Sequence, residues 1–352
     1  MKTSIYITAA IAALSAPAWA QSNVTIYGIA DAAIASVSNI GGGSSTSMES
    51  GYLQSSRLGF RGKEDMGGGL SALFTLESGF NIATGANSSS VFFNRQSFMG
   101  LSSTTLGSIT AGRQYTPIYD QLIFQAGAPA FGVSGGALDG IPSAGSSASR
   151  YDNTLGGTRI DNSIKYNSPR MGGWRFDVMY GYGGVNNSSS ANSYKSVATG
   201  YKGGSIEFGM GYQARDCVAA TGCTAVQARD EVVAIGGGYN FGAFKLASIY
   251  TSEKNGKNVK GNNADLYHAM VQVPVGAWFL SAGVQKLNDK AAANQDGTQY
   301  NFSALYSLSK ATTLYGAYSQ QKVINGGKAG MALVTSSDGK QNVLALGIRQ
   351  VF

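Results

Sequence analysis

Apolar and polar residues alternate along most of this chain. Around residue 208, for example, Ile206, Phe208 and Met210 alternate with Glu207 and with glycines. Side chains of a β-strand point alternately to its two faces, so this period gives a strand with one apolar and one polar face. Helical spacing is almost absent. The pattern predicts an all-β fold, and it recurs over residues 25–34, 57–63, 74–77, 174–182, 206–213, 244–251 and 300–306.

The connections between these segments alternate between very short and long. Seven short turns and eight long polar loops separate sixteen predicted strands, an even number that allows an antiparallel sheet to close on itself. The turns fall near 64–68, 102–107, 168–173, 203–204, 242–243, 274–276 and 309–310. The loops fall near 39–50, 81–91, 116–158, 184–193, 214–230, 252–264, 287–298 and 323–342.

Two architectures fit this pattern, a soluble β-sandwich and a transmembrane β-barrel. Strands of a sandwich usually have about five or six residues, whereas several segments here approach the length of a tilted strand that crosses a bilayer. Charged residues form only 13% of the chain, as expected when much of the outer surface contacts lipid. Backbone polar groups in lipid must pair internally, so the sheet must close. We therefore predict a 16-stranded antiparallel transmembrane β-barrel.

Residues 1–20 have the features of a cleaved secretory signal peptide. Lys2 supplies a basic start, an apolar stretch follows over 5–14, and Ala18-Trp19-Ala20 forms a small-x-small cleavage site. The apolar stretch is too short for a membrane anchor, and no later stretch offers 18 consecutive apolar residues. Residues 21–352 are therefore expected to form a single exported domain.

The cysteine content agrees with export. Cys217 and Cys223 are the only two cysteines and lie in one polar stretch. In an oxidising compartment a small loop disulfide is the simplest interpretation, and two free thiols are the alternative. A metal centre would need more ligands, and His268 is the only histidine, so no metal site is predicted.

Several motifs resemble the general diffusion porins of Gram-negative bacteria, particularly the β-proteobacterial type. The last strand, ending at Phe352, is similar to the assembly signature of outer-membrane proteins, in which a terminal aromatic residue follows an alternating strand. Gln350 departs from the bulky residue often found at its position. The other motifs are VTIYGIAD at 24–31, SRLGFRG at 56–62, EDMGGGL at 64–70, NRQSFMGL at 94–101 and GRQY at 112–115.

The resemblance implies a water-filled trimeric pore in the outer membrane, surrounded by lipid and lipopolysaccharide. Ions and small hydrophilic solutes would diffuse through it passively, and no cofactor is expected. The resemblance also implies that the third loop, over about 116–158, folds inward and narrows the pore.

A group of cations falls on the polar side of the predicted strands. One such residue alone would be interpreted as a solvated charge at the rim, but six on neighbouring strands favour a positive wall that attracts anions. By resemblance, Arg57, Arg95 and Arg159 match the basic constriction cluster of the family, while Ile29 replaces a lumenal lysine of some relatives. The six candidates are Arg57, Arg61, Arg95, Arg113, Arg159 and Lys165.

The third loop is far longer than the other connections, and such length in a compact fold is usually functional. Tyr115 precedes it, and Phe131 belongs to a Pro-Ala-Phe-Gly stretch that resembles a degraded loop motif of the family. Asp120 and Asp139 are the only acids within 116–150. In relatives, acids on this loop face the arginines, so their scarcity predicts a mild anion preference.

Other function classes receive little support. Residues 132–136 fit the Gly-x-Ser-x-Gly pattern of hydrolases, but that motif needs a strand-turn-helix context and a histidine base. The basic residues are scattered over strands, which argues against nucleic-acid binding. An outer-membrane barrel acting as an adhesin or an enzyme remains the alternative to an open pore, and we predict that the protein is not an enzyme.

Overall fold

A computed structural model of the chain describes residues 23–123, 141–142, 150–151, 159–186, 188, 190–217, 229–331 and 334–352. The predicted signal peptide over 1–20 lies outside the described residues, as do Phe131, Asp139 and Cys223.

The described chain is built almost wholly from antiparallel strands. The main sheet contains 17 strand segments, of which Gly43–Ser50 and Arg57–Gly67 are two parts of one barrel strand because both pair with the same side of the first strand. This confirms the predicted sixteen-stranded antiparallel barrel. The strands are β1 (Asn23–Ile40), β2 (Gly43–Ser50 and Arg57–Gly67), β3 (Leu70–Gly79), β4 (Gln96–Ser103), β5 (Gly107–Tyr115), β6 (Arg159–Asn167), β7 (Trp174–Gly181), β8 (Tyr194–Gly203), β9 (Ile206–Arg215), β10 (Asp230–Asn240), β11 (Lys245–Lys254), β12 (Ala264–Val275), β13 (Trp278–Asp289), β14 (Gly297–Ser307), β15 (Thr312–Val323) and β16 (Lys340–Val351).

The first and last strands close the barrel. Residues Ile29 to Val37 of β1 pair in register with Val351 to Val343 of β16. One rim carries the short turns and the other the long loops, as the sequence predicts. The first connection differs, because the loop predicted over 39–50 is a tight turn at Gly41 and Gly42 followed by the first part of β2.

The two faces of the barrel have opposite character. Outward side chains are apolar and exposed, such as Ile26 (60%), Met99 (68%) and Leu346 (63%). Inward side chains include many buried polar groups, such as Gln285 and Gln299. An apolar exterior around a polar interior is the arrangement that a barrel needs in a bilayer.

One sector of the inner wall is apolar instead. Ala33 and Ala35 of β1 cluster with apolar inward residues of β15 and β16, and Tyr52, Leu53 and Met331 pack against them. Chain segments therefore fill the lumen on this side.

The connection between β5 and β6 spans 116–158, and its first residues lie inside the barrel. A short helical turn, Tyr119–Ile123, follows β5, and Ile118 and Leu122 are buried against inward residues of β8 and β10. Gly209 on β9 permits this contact, since an added Cβ would lie 2.7 Å from the carbonyl oxygen of Gln121. Among the described residues, no helix is long and apolar enough to cross a membrane.

Candidate pore constriction

Three of the predicted cations converge inside the barrel. Arg57 begins the second part of β2, Arg95 directly precedes β4, and Arg159 begins β6. We call Arg57, Arg95 and Arg159 the arginine cluster. The strand register therefore brings to one level three residues that are far apart in sequence.

Glu77 on β3 is the acid at the arginine cluster. Its Oε1 lies 2.6 Å from Arg95 Nε and 4.0 Å from Arg57 Nη1. Its Oε2 accepts a hydrogen bond of 3.1 Å from the hydroxyl of Tyr27. The Glu77 side chain is only 4% exposed, so the carboxylate is held by these partners rather than by bulk water.

Tyr115 connects two members of the cluster. Its hydroxyl oxygen accepts hydrogen bonds from Arg159 at 2.6 Å and from Arg95 at 3.2 Å. The Arg159 guanidinium also lies over the Tyr115 ring, 4.3 Å from its centroid, which is a cation–π contact. Tyr119 stacks on Tyr115 at a centroid distance of 4.5 Å. The start of the third loop thus packs against the arginine cluster.

The arginine cluster carries excess positive charge. Among the described residues, three guanidinium groups face one carboxylate, so this described part of the site has a net charge of +2. Arginine side chains stay protonated in proteins, so all three guanidinium groups remain charged.

A second group of charges lies beside the first, and we call Asp120, Lys165, Arg175 and Asp177 the balanced cluster. Asp120 Oδ2 lies 2.8 Å from Lys165 Nζ and 3.9 Å from Arg175 Nη2. Arg175 Nε also donates to Asp177 Oδ1 at 2.9 Å. Two cations match two acids here, so the cluster is neutral overall.

The balanced cluster connects the start of the third loop to the wall. Asp120 belongs to the loop, whereas Lys165 lies on β6 and Asp177 on β7. Lys165 Nζ also donates to the Tyr115 carbonyl at 3.0 Å, and Gln121 Nε2 donates to Asp177 Oδ2 at 2.5 Å. These contacts hold the first residues of the loop against the inner wall.

The structure does not bring the two remaining predicted cations into either cluster. Arg61 lies on β2 with its guanidinium over the ring of Tyr27, 5.2 Å from the centroid. Arg113 pairs in register with Ser97. The pair Met99 and Ala111 lies two positions further along both strands, and its side chains are on the outward face. Side chains two positions apart on a strand share a face. The Arg113 side chain is 2.5 Å from Asp161, whose side chain is 67% exposed. Arg113 is therefore placed away from the lumen.

The sequence-based list missed several members of these clusters. Glu77, Arg175 and Asp177 alternate with apolar neighbours in the same way as the predicted arginines do. This alternation predicts that their side chains also face inward, but the predicted site included only cations of the strands and acids of the third loop. Tyr119 carried no such signal, because it lies in a loop.

Two further predicted residues lie away from the constriction. Cys217 is disulfide-bonded, and its pairing with Cys223 remains a prediction because Cys223 is outside the described residues. Phe352 closes the barrel: its backbone N–H donates to the carbonyl oxygen of Gly28 at 3.1 Å and its carbonyl accepts from Gly28 N–H at 2.9 Å. A Cβ on Gly28 would collide with the Phe352 ring.

Known proteins share both the sequence pattern and the architecture. The Gram-negative porin family matches residues 8–325 of the chain. Outer membrane porin protein 32 of Delftia acidovorans is 31% identical over 323 residues, covering 90% of this chain and 88% of that protein. An outer membrane porin protein of Bordetella pertussis is 26% identical over 374 residues, covering 99% and 90%.

Solved structures agree on the fold. A structure titled as the anion-selective porin from Comamonas acidovorans superposes with a TM-score of 0.75 and 24% identity, covering 94% of this chain and all of that chain. OmpT of Vibrio cholerae in a trimer form has a TM-score of 0.65 and 16% identity, covering 94% and 99%. The chain thus belongs to the Gram-negative porin family and forms a diffusion channel in the outer membrane.

Proposed function

We propose that this porin passes ions and small hydrophilic solutes passively with a mild preference for anions, as a homotrimer and without catalysis or a cofactor. The observation that carries the anion preference is the arginine cluster, in which, in the part of the chain that the structure describes, one carboxylate, Glu77, faces three guanidinium groups. The fixed charge attracts anions to the narrow passage and repels cations.

The size of the effect follows from Coulomb's law. A unit charge about 8 Å from a passing ion in water contributes about 0.5 kcal/mol, so a net charge of about +2 contributes about 1 kcal/mol. At 0.1 M salt the screening length of about 10 Å roughly halves this energy. Because an anion gains what a cation loses, the difference between the two is then about 1 kcal/mol, which corresponds to roughly a fivefold bias toward anions. The balanced cluster adds little because its charges cancel. The solved neighbour titled as an anion-selective porin is consistent with this proposal.

The trimer is supported by a related fold and by the outer surface. A solved neighbour is described in a trimer form, and β1 presents the small side chains of Gly28, Ala30 and Ala32 on its outward face. Small residues allow two barrels to approach closely. Outside the subunit contacts, the exposed apolar exterior is suited to lipid, and we expect lipopolysaccharide to cover its upper part. Trimer bands on unheated SDS gels test the assembly.

Planar-bilayer recording tests the transport proposal. Stepwise conductance increments are expected as single pores insert, and an enzyme or adhesin without an open pore would produce none. In a KCl gradient, the reversal potential is expected to have the sign of chloride permeation. A potassium-selective reversal potential would overturn the anion preference while leaving the diffusion channel intact.

A further inference from the structure

The second strand contains an excursion into the lumen. On β1, Ile29 pairs with Arg57 and Ala32 pairs with Ser50. Only two residues of β1 lie between these pairs, whereas six residues of β2, 51–56, lie between their partners. We call residues 51–56 the inward segment.

Asp31 on β1 holds the inward segment at several points. Its Oδ2 accepts a hydrogen bond of 2.6 Å from the backbone N–H of Gln54, and its carbonyl accepts one of 2.9 Å from Gly51. Its own N–H donates to Ser56 Oγ at 3.1 Å. Both ends and the middle of the segment are thus bonded to one residue.

Tyr315 on β15 fixes the carboxylate of Asp31 from the other side. The Tyr315 hydroxyl donates to Asp31 Oδ1 at 2.6 Å, and Asp31 is fully buried. Arg349 on β16 donates to the Gln54 side chain at 3.3 Å. Tyr52 and Leu53 of the segment pack in the apolar sector that includes Tyr315.

The segment ends at the arginine cluster. Arg57 Nε donates to the carbonyl oxygen of Ser55 at 2.9 Å, whereas the nearest Glu77 oxygen is 4.0 Å from Arg57 Nη1. Glu77 is much closer to Arg95. The hydrogen bond to Ser55 is therefore the better of these two contacts for fixing the Arg57 side chain.

We propose that Asp31 and Tyr315 are positioning residues for ion selectivity, because they hold the inward segment in the place where Ser55 orients Arg57. This inference rests on the proposed anion preference of the arginine cluster. Without the fixed segment, electrostatic repulsion from Arg95 drives the Arg57 side chain out of the constriction. The positive field is then weaker and the passage wider.

Two substitutions that leave the charge unchanged test this role. Tyr315→Phe removes one hydrogen bond to Asp31. Gly51→Ala acts at a residue with φ of +76°, where an added Cβ would lie 2.9 Å from Ser55 Cα, so it displaces the segment. Both variants are expected to shift the KCl reversal potential toward potassium and to increase conductance and open-channel noise.

Matched controls exist for both variants. Tyr318 lies on the same strand as Tyr315 but faces outward and is 38% exposed. Gly42 has φ of +82° and no atom within 4 Å of an added Cβ. Tyr318→Phe and Gly42→Ala are expected to leave the reversal potential unchanged. Heat-modifiable migration on SDS gels verifies that every variant folds.

A double-mutant cycle with Arg57→Gln separates positioning from general loosening. If the inward segment acts through Arg57, Gly51→Ala causes no further change of reversal potential in the Arg57→Gln background. An equal shift in both backgrounds, or no shift from either variant in the wild-type background, would overturn the positioning role. The proposed function is tested separately, by the reversal potential of the wild-type protein. A wild-type value without anion preference would refute the proposed function, whereas the double-mutant cycle compares only the shifts that the substitutions cause.

Discussion

The arginine cluster and the balanced cluster lie side by side on the same inner wall, yet their charges are arranged for different purposes. In the balanced cluster, Asp120 and Asp177 match two cations at 2.8 to 3.9 Å, and the contacts connect the third loop to the barrel. In the arginine cluster, Glu77 is the one carboxylate among the described residues, and it lies 2.6 Å from Arg95 and 4.0 Å from Arg57. Among the described residues, matched charges thus hold the loop in the balanced cluster, whereas cations outnumber acids in the arginine cluster, where the excess biases the ions.

The largest effect is expected from removing the excess positive charge of the arginine cluster. The triple substitution Arg57→Gln, Arg95→Gln and Arg159→Gln leaves Glu77 as the charge of that cluster, so its net charge changes from about +2 to about −1. By the same Coulomb estimate, this change of about 1.5 kcal/mol lowers the anion-to-cation permeability ratio roughly tenfold. Reversal potentials in a KCl gradient measure the ratio. A triple variant as anion-selective as wild type would show that the field arises elsewhere.

Removing an acid from the balanced cluster should reduce stability. Asp120→Asn leaves the Lys165 ammonium, with a side chain 8% exposed, without its carboxylate, which costs about 1 kcal/mol or more. The temperature at which the folded band disappears on SDS gels should therefore fall.

Asp216→Asn is the matched control for that change. Asp216 follows β9 at the rim of the long loops, and it pairs with Lys195 at 3.3 Å and with Arg229 at 3.5 Å, whose side chains are 46% and 44% exposed. Such surface pairs contribute little. Equal destabilisation by Asp120→Asn and Asp216→Asn would argue against a special role for the balanced cluster.

Removing the acid of the arginine cluster should sharpen the selectivity. Glu77→Gln raises the net charge of the cluster by one, which adds about 0.5 kcal/mol and roughly doubles the anion preference. The reversal potential in the same KCl gradient checks this, with Glu64→Gln near the turn after β2 as a control. A loss of anion preference would mean that Glu77 is needed chiefly to hold Arg95.

The smallest effect is expected at Arg113. Because its register places it with the outward residues, Arg113→Gln should leave the reversal potential unchanged, although it removes a positive charge as Arg95→Gln does. A shift as large as that of Arg95→Gln would place Arg113 at the pore and contradict its assignment to the outer face.

The sequence was sufficient to predict the barrel because alternation is a local property. The sixteen strands, their antiparallel order and the bounds of the third connection follow from period-two patterns and turns. The excursion of residues 51–56 was not predictable in this way. It depends on hydrogen bonds between Asp31, Gln54 and Tyr315, and two of these residues are 284 positions apart along the chain.

Alternation also gave only part of the candidate site. It states which side of a strand a residue occupies, and this places Glu77 and Asp177 inward as readily as Arg57. It does not state which inward charges meet, because that depends on the height of each residue in the barrel and therefore on strand register. Arg95 and Glu77 meet across 2.6 Å, while Arg61 lies on the same wall but contacts Tyr27.

If fixed positive charge in the arginine cluster selects anions, the selectivity must depend on ionic strength. The decisive measurement is the reversal potential of the wild-type protein at a constant KCl ratio and increasing mean concentration. The screening length falls from about 10 Å at 0.1 M to about 3 Å at 1 M, so we expect a chloride-selective potential at low salt that declines toward zero at high salt. A cation-selective potential, or an anion preference that does not change with salt, would show that the arginine cluster does not set the selectivity.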